Sequence, residues 1–484
     1  MKRRSWLTLV AGVAVGTMAL APVFAEEGTG DSPTDPVGRF RDEFIVTPVD
    51  QLLTPVGRLV ELPGLRPQVL ALSPDGKLLV TSGKTSELIV IDPELSEIKQ
   101  RVPLPADEQS EPLPAAPSAN ILRPDRKGQV SFTGLVFSPD GRRIYLSNVN
   151  GSIKVFTVSR DGSVAPSHSL PLPPANAPRR KAEIPSGLAL TPDGSRLYVC
   201  GNLSNRLLEL DAATGKTVRT FDVGAAPYDV VLVGKKAFVS NWAGRRPGAG
   251  DLVGPAGRGT EVRVDAVRHI ASEGSVSIVP LEGASQPSEL LTGLHASGLA
   301  VSPDRKYVVC ANAGSDHLSV IDVAAEAVVE TIWAKSKPSD LFGASPNSLA
   351  FDSEGKRLYV ANGTQNAIAV IRFEPEDRGD SVLQGLIPVG WFPGAVVFDS
   401  QRSSLYVANI KGLPLVPKRN EADGTKGFNS HHYQGAISLV PVPDARQLPL
   451  LSERASRNLR RAQIAQAALP ARKDQPARPI PERI

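Results

Sequence analysis

Between residues 55 and 443 apolar and polar residues alternate over runs of four to six, and turn residues separate the runs. Alternation with a period of two places one side of an extended segment in a core, so the pattern predicts β-strands joined by hairpins and no helix across this stretch. The runs also recur. Leu70-Ala-Leu-Ser-Pro-Asp-Gly-Lys-Leu-Leu-Val returns as Gly134-Leu-Val-Phe-Ser-Pro-Asp-Gly-Arg-Arg-Ile-Tyr-Leu and as Gly187-Leu-Ala-Leu-Thr-Pro-Asp-Gly-Ser-Arg-Leu-Tyr-Val, with weaker copies from Tyr228, Gly298, Ser348 and Ala395.

Each copy contains a first strand, a Pro-Asp-Gly turn, a second strand, a turn, a third strand such as Leu88-Ile-Val-Ile, and in most copies a less regular fourth. One such sheet cannot bury both of its faces alone and must stack on its neighbours. The predicted fold is therefore all-β: a seven-bladed β-propeller of four-stranded antiparallel blades. Gly57-Arg-Leu-Val-Glu-Leu-Pro stands before the first full copy, and the last copy runs out after Ala436-Ile-Ser-Leu-Val-Pro. Pairing these segments would complete the seventh blade and close the ring with an N-terminal strand.

Two columns of the repeat look structural. Ser82, Asn148, Asn202, Asn241, Asn312, Asn362 and Asn409 fall at the turn after the second strand, where asparagine tolerates a left-handed backbone. Thr81, Ser147, Cys200, Ser240, Cys310, Ala361 and Ala408 precede them, all small. On this alignment the two cysteines occupy equivalent sites of non-adjacent blades, too far apart for a disulfide.

The Ser-Pro-Asp-Gly turn followed by Leu-Tyr-Val-x-Asn, clearest at Thr191 to Asn202 and Arg357 to Asn362, resembles the YVTN/YncE-like propeller repeat over about residues 55 to 443. Ala226-Pro-Tyr-Asp-Val-Val, Ser240-Asn-Trp-Ala-Gly-Arg-Arg-Pro, Gly293-Leu-His-Ala-Ser-Gly and Pro388-Val-Gly-Trp-Phe-Pro are similar to bacterial proteins that fuse such a propeller to a C-terminal alkaline-phosphatase-like phosphoesterase. The resemblance implies an architecture and no activity, because the metal ligands of that family belong to the C-terminal domain, which is absent here.

The flanks differ from the body. Lys2, Arg3 and Arg4 precede an apolar stretch from Trp6 to about Met18, then Val23-Phe24-Ala25 and Glu26-Glu27. This is the pattern of a signal peptide over residues 1–25 with cleavage after Ala25, which predicts a periplasmic or secreted chain without stable membrane insertion. Residues 26–54 read as a linker. Residues 444–484 carry nine Lys or Arg against four Asp or Glu. Within them Leu448, Leu451, Ala455, Leu459, Ala462, Gln466 and Leu469 form one stripe of a basic amphipathic helix, followed after Pro470 by an extended Pro/Arg-rich tail. The net charge is +4, and with signal and tail set aside the body is slightly acidic, which argues against a nucleic-acid groove.

Candidate chemistry gathers at the entries to the first strands, where propellers place ligands. Arg66, Tyr228, Asp229, His295, Trp391 and Phe392 lie there, and an insert over Trp242 to His269 adds Trp242, Arg245 and Arg246. Arginine forks suit carboxylate or phosphate and flanking aromatics offer stacking faces, so a protein partner or small anionic ligand is expected, on a monomer. Catalysis is not. His295 with Asp229 behind it has no Ser or Cys nucleophile nearby, and the strand entries offer mainly Asp229 and Glu183 as carboxylates, too few for the alternative of a lactonase-like propeller hydrolase. No cofactor or metal is expected. His431 and His432 are strand neighbours facing opposite ways, Cys-x-x-Cys-His is missing, and the glycines at Gly248 and Gly250 do not open a helix after a strand. A second insert, Ala106 to Gly128, is long enough to be functional.

Overall fold

The computed structural model describes residues 37–40, 44–83, 86–105, 130–175, 177–257, 260–283, 285–336, 343–377, 381–414 and 433–460. The expected signal segment, the Ala106 to Gly128 insert, His431 and His432, and the tail beyond 460 lie outside them.

Seven four-stranded antiparallel sheets are present, as the repeat predicts. The first runs outward through Pro67–Leu72, Leu79–Gly83, Glu87–Asp92 and Glu97–Pro103. The first strand of every sheet packs against the first strands of both neighbours, so these strands form the inner wall of a ring. The Ser-Pro-Asp-Gly signal is a hydrogen-bonded hairpin. Ser73 Oγ donates to Asp75 Oδ1 at 2.7 Å and accepts from the amides of Lys77 and Leu78 at 3.1 and 2.9 Å, while Gly76 takes φ 70°. Only glycine enters that region without a steric cost.

Between blades the apolar residues interdigitate. Val80, Leu88 and Val90 of the first blade pack with Ile144, Leu146 and Phe156 of the second, and similar clusters follow around the ring. The seventh sheet consists of Trp391–Asp399, Ser404–Pro414, Tyr433–Pro441 and, as its outer strand, Arg58–Leu62. Arg58 pairs with Leu439 and Leu62 with Gly435, so the predicted closure is the observed one.

Strand register corrects both structural columns. Leu299 pairs with Cys310 as Leu188 pairs with Val199, so Cys310 corresponds to Val199 and not to Cys200. A slip of one residue turns a side chain to the other face. Cys200 packs with Val230 and Val239 on one face of the fourth sheet, and Cys310 with Phe238 and Val276 on the other. Neither forms a disulfide, and burial raises both thiol pKa values, Cys310 to about 12. The aligned small column is Ser82, Ser147, Cys200, Ser240, Ala311, Ala361 and Ala408, all 0% exposed.

The next column is Gly83, Asn148, Gly201, Asn241, Asn312, Asn362 and Asn409, which displaces Ser82 and Asn202 from the turn position. None of these asparagines has a positive φ. Several instead donate side-chain hydrogen bonds to hydroxyls of the adjacent strand, as Asn312 Nδ2 does to Ser319 Oγ and Asn409 Nδ2 to Ser438 Oγ, both at 2.9 Å.

Residues 38–53, expected within a linker, form a three-stranded sheet of Gly38–Phe40, Phe44–Val46 and Leu52–Leu53. Ile45 and Leu53 pack on Trp391. The C-terminal helix spans Gln447–Asn458 and lies on the outer strand of the sixth blade, Val382–Pro388. Ser452 Oγ accepts from the amide of Leu386 at 2.9 Å, and Gly385 leaves room for the contact. Arg460, with φ 49°, follows the helix and pairs with Asp50, and Asn458 Nδ2 donates to Thr54 Oγ1 at 3.0 Å. The part of the amphipathic stripe beyond Arg460 lies outside the described residues. Among the described residues no helix is long and apolar enough to cross a membrane.

The closing strand should therefore carry a large share of stability. L62A, at a side chain with 0% exposure, is expected to cost about 2–5 kcal/mol in chemical denaturation. V329A, at 50% exposure on an outer strand, should change stability by less than about 0.5 kcal/mol. Equal effects would contradict closure by this strand.

Candidate functional site

The entries to the inner strands share a backbone feature that composition does not reveal. Ala226, His295 and Ser345 each precede the first strand of their blade and Phe392 is the second residue of its own, all with φ between 49° and 58°. For bulky side chains this conformation is uncommon and needs support from the surroundings. The support comes from the preceding blade. The side-chain oxygens of Asn205, Asp316 and Asn366, themselves left-handed, accept the amide hydrogens of Ala226, Ser345 and Phe392 at 2.9, 3.0 and 3.1 Å. These clasps aim the entry residues at one end of the ring.

At the junction of the fourth and fifth blades the insert replaces the hairpin that would carry the clasp. Trp242 takes over by stacking on His295, with ring centroids 3.9 Å apart and planes within 1°. Burial lowers the His295 pKa, favouring the neutral ring. Trp242 remains 36% exposed. The insert itself is ordered around a two-stranded sheet, Val253–Ala256 with Thr260–Arg263, and a small core of Ala225, Ala243, Val262 and Val264. Its arginines brace it. Arg245 grips Glu273 through Nε at 2.9 Å and Nη2 at 2.6 Å, and Arg246 donates to the carbonyl oxygens of Val223 and Asn205 and to Asp222.

Asp229 lies at the axis. It belongs to the fourth blade, yet its Oδ1 lies 3.4 Å from Thr133 Oγ1 of the second, with Gly187 of the third between them. Corresponding residues elsewhere are Val69, Gly134, Gly187, Gly298, Ser348 and Ala395, so this is the one charge in the column. Oδ1 also accepts from the amide of Val230, and Oδ2 from that of Leu299 in the fifth blade, both at 2.9 Å. Desolvation raises the pKa from 3.8 to about 6 against these hydrogen bonds. Neighbouring Tyr228 is half-buried, and desolvation followed by the Asp229 charge raises its pKa.

His295 and Asp229 do not form a relay. Asp229 spends its oxygens on backbone amides and Thr133, while His295 lies against Trp242. Glu183 is likewise committed, accepting from the amides of Ile184 and Leu203 at 2.9 Å and Ser204 at 3.2 Å.

On another sector of the same end, Trp391 is only 5% exposed beneath the N-terminal sheet, so it is a packing residue more than an open stacking face. Phe392 is half-buried, and Arg66 enters the first blade nearby. Lys411, which the sequence reading missed, joins them with its Nζ 4.7 Å from the Phe392 ring centre and 5.0 Å from that of Trp391. Surface clefts lie elsewhere, between hairpins of the fifth and sixth blades, beside the helix, and between the first and second blades. Among the described residues no three His, Cys, Asp or Glu converge as a metal site.

Residues 264–390 match a family model described as a lactonase, 7-bladed β-propeller. No curated protein matches the chain. Among solved structures, hydrazine synthase of Kuenenia stuttgartiensis is similar over 72% of this chain and 94% of its own at 17% identity and a TM-score of 0.52. U3-55K matches over 80% and 98% at 14% identity and 0.53, and the RRP9 WD40 repeats over 80% and 97% at 13% identity and 0.54. Identities this low establish the propeller fold alone.

The Asp229 environment has a pH signature. With its folded pKa raised, the extra stability is complete below pH 3.8 and is lost as pH rises through about 6. Referenced to D229N, the wild type should be more stable at pH 4 than at pH 7 by up to about 3 kcal/mol in urea denaturation. A difference that does not vary with pH would show that this carboxyl ionises as it does in water.

Proposed function

We propose that this chain is an extracytoplasmic propeller of the YncE-like kind that acts, as a monomer, as a binding or docking module through the end of the ring where the entry residues gather. The observation that carries this reading is the commitment of Asp229. The one carboxylate of its column has Oδ1 engaged by the Val230 amide of its own strand and Thr133 of the second blade, and Oδ2 by the Leu299 amide of the fifth, which suits a structural tie and leaves no base for a hydrolytic water. Arg245 and Arg246 are likewise spent on bracing the insert. What the face offers outward is the stacked, half-exposed Trp242, the kind of rigid aromatic anchor that dominates protein interfaces. The basic and apolar start of the sequence supports export. The resemblance of the entry segments to propellers fused to phosphoesterases supports a phosphoesterase supplied by another chain as one partner class.

The lactonase-family match over residues 264–390 favours a second reading, hydrolysis of a small anionic lactone in the channel. The two readings separate in a direct assay. A panel of five- and six-membered lactones should be hydrolysed no faster with the protein than in buffer; turnover abolished by D229N would contradict the docking reading and favour the hydrolase. For docking itself, W242A should retain the wild-type unfolding midpoint while weakening capture of a partner from envelope extract about tenfold or more. Undiminished capture would remove Trp242 from the interface.

A further inference from the structure

We propose that the cleft between the turn hairpins of the first and second blades binds a soluble organic phosphate ester, its phosphoryl group held by Lys99, Arg142 and Arg160. The cleft lies at the end of the ring opposite the entry residues, so the inference is independent of the docking reading.

The first observation is a built cavity. The hairpin at Pro74 and Asp75, the hairpin at Pro139 to Gly141 and the turn from Ser159 to Gly162 enclose about 500 Å³. Leu78, only 3% exposed, and Val158 give it an apolar lining. That space suits a small organic molecule and exceeds what a bare ion fills. Its walls are tied across the blades. Gln100 of the first blade donates to the Val164 carbonyl oxygen of the second at 3.4 Å and accepts from the Val164 amide at 2.8 Å.

The second observation is the way Lys99 reaches the cleft. The outer strands of the first, second, third, fifth and sixth sheets each bulge by one residue against the third strand, and the extra residues are Lys99, Ser167, Val218, Val329 and Gln384. A bulge re-aims a side chain. Among these five only Lys99 carries a charge, and its Nζ crosses to the second blade, 3.3 Å from where a Cβ on Gly162 would stand.

The third is the balance of charge. Asp75, Asp140 and Asp161 also line the cleft, but Oδ1 of each accepts from the serine hydroxyl two residues before it and from the amide two residues after it. These carboxylates are satisfied within their own hairpins. Lys77 lies 3.6 Å from Asp75, whereas Lys99, Arg142 and Arg160 are exposed and form no ion pair among the described residues. The equivalent cleft between the fifth and sixth blades is the contrast. It measures about 250 Å³, with Tyr307 and Phe373 in the places of Leu78 and Val158. Its cations are paired: Lys306 holds Glu376 at 2.7 Å, and Lys356, the counterpart of Arg142, holds Glu354 at 2.8 Å. Two arginine forks and a lysine left without carboxylates match the several oxygens of a phosphoryl dianion, and the apolar lining suits the organic body behind it.

The test is calorimetric titration with phenyl phosphate at constant ionic strength and neutral pH, on the wild type and on K99Q, R160Q and K306Q. Wild type should bind one equivalent saturably, K99Q and R160Q should each bind at least about tenfold more weakly, and K306Q, altered in the other cleft, should match the wild type. All three replaced side chains are exposed, so the variants should keep the wild-type unfolding midpoint. Inorganic phosphate should bind several-fold more weakly than the ester, and vesicles containing phosphatidic acid should not displace it. No saturable binding, or undiminished binding in K99Q and R160Q, would overturn the proposal. Equal affinity for inorganic phosphate would overturn the organic ester, and displacement by the vesicles would overturn the soluble one.

Discussion

Everything else in this molecule depends on one strand pairing, Arg58–Leu62 against Gly435–Leu439. Each blade buries its two faces only against neighbours, so an open array would leave two apolar faces in water. Closure brings Val60 and Leu62 into the same cluster as Ile437 and Leu439 of the seventh sheet and Leu79, Ile89 and Ile91 of the first. Other contacts converge on the same sector. Asn458, the last residue of the helix, and Arg460, just after it, bond Thr54 and Asp50, just before the closing strand. Gln51 accepts from Asn366 Nδ2 at 2.8 Å and donates to the Thr364 carbonyl at 3.2 Å. The helix and the N-terminal sheet therefore hold the strand on which the ring depends.

Closure also limits what the centre can do. Seven inner strands brought together leave little room, and the column facing the next blade is filled mainly by glycine, alanine and serine. At Gly187 a Cβ would lie 2.5 Å from the Asp229 Cα, and at Gly298 2.5 Å from the Asn347 carbonyl oxygen. Asp229 fits because Gly187 yields the space, and its oxygens then pair amides that packing has brought together. The axis is thus spent on holding the ring. Variation accumulates at the entry turns, where a left-handed kink presents whatever side chain the blade carries: alanine, serine, histidine or phenylalanine.

How much of this could be read in the sequence follows from how each feature is encoded. The blades and their closure were legible because Ser-Pro-Asp-Gly encodes a complete hydrogen-bonded hairpin, and an unpaired run at each end of the repeat implies a partner. The columns slipped by one in the first, third and fifth blades because small residues stand at consecutive positions there, as in Thr81-Ser82 and Cys310-Ala311, and only register separates them. The sheet at residues 38–53 escaped because its strands are two or three residues long and match no repeat. Trp391 was recognised as an entry residue, but nothing local says that Ile45 and Leu53 cover it. Lys411 was missed for a related reason: its signal is two residues, Lys411 and Gly412, inserted after the asparagine column, which reads as a loop until pairing shows a bulge. The clasps from Asn205, Asp316 and Asn366 were present as Asx residues in turns, and their partners about twenty to thirty residues onward were not.

The most direct test of this account is native-state hydrogen exchange read at peptide level. If the ring is one closed cooperative unit, amides of residues 58–62 and 435–439 should exchange only through global unfolding, at the same slow rate as those of the inner strand Pro227–Val233. Exchange of 58–62 orders of magnitude faster than the inner strands, as at a frayed sheet edge, would contradict closure as the constraint on which the structure rests.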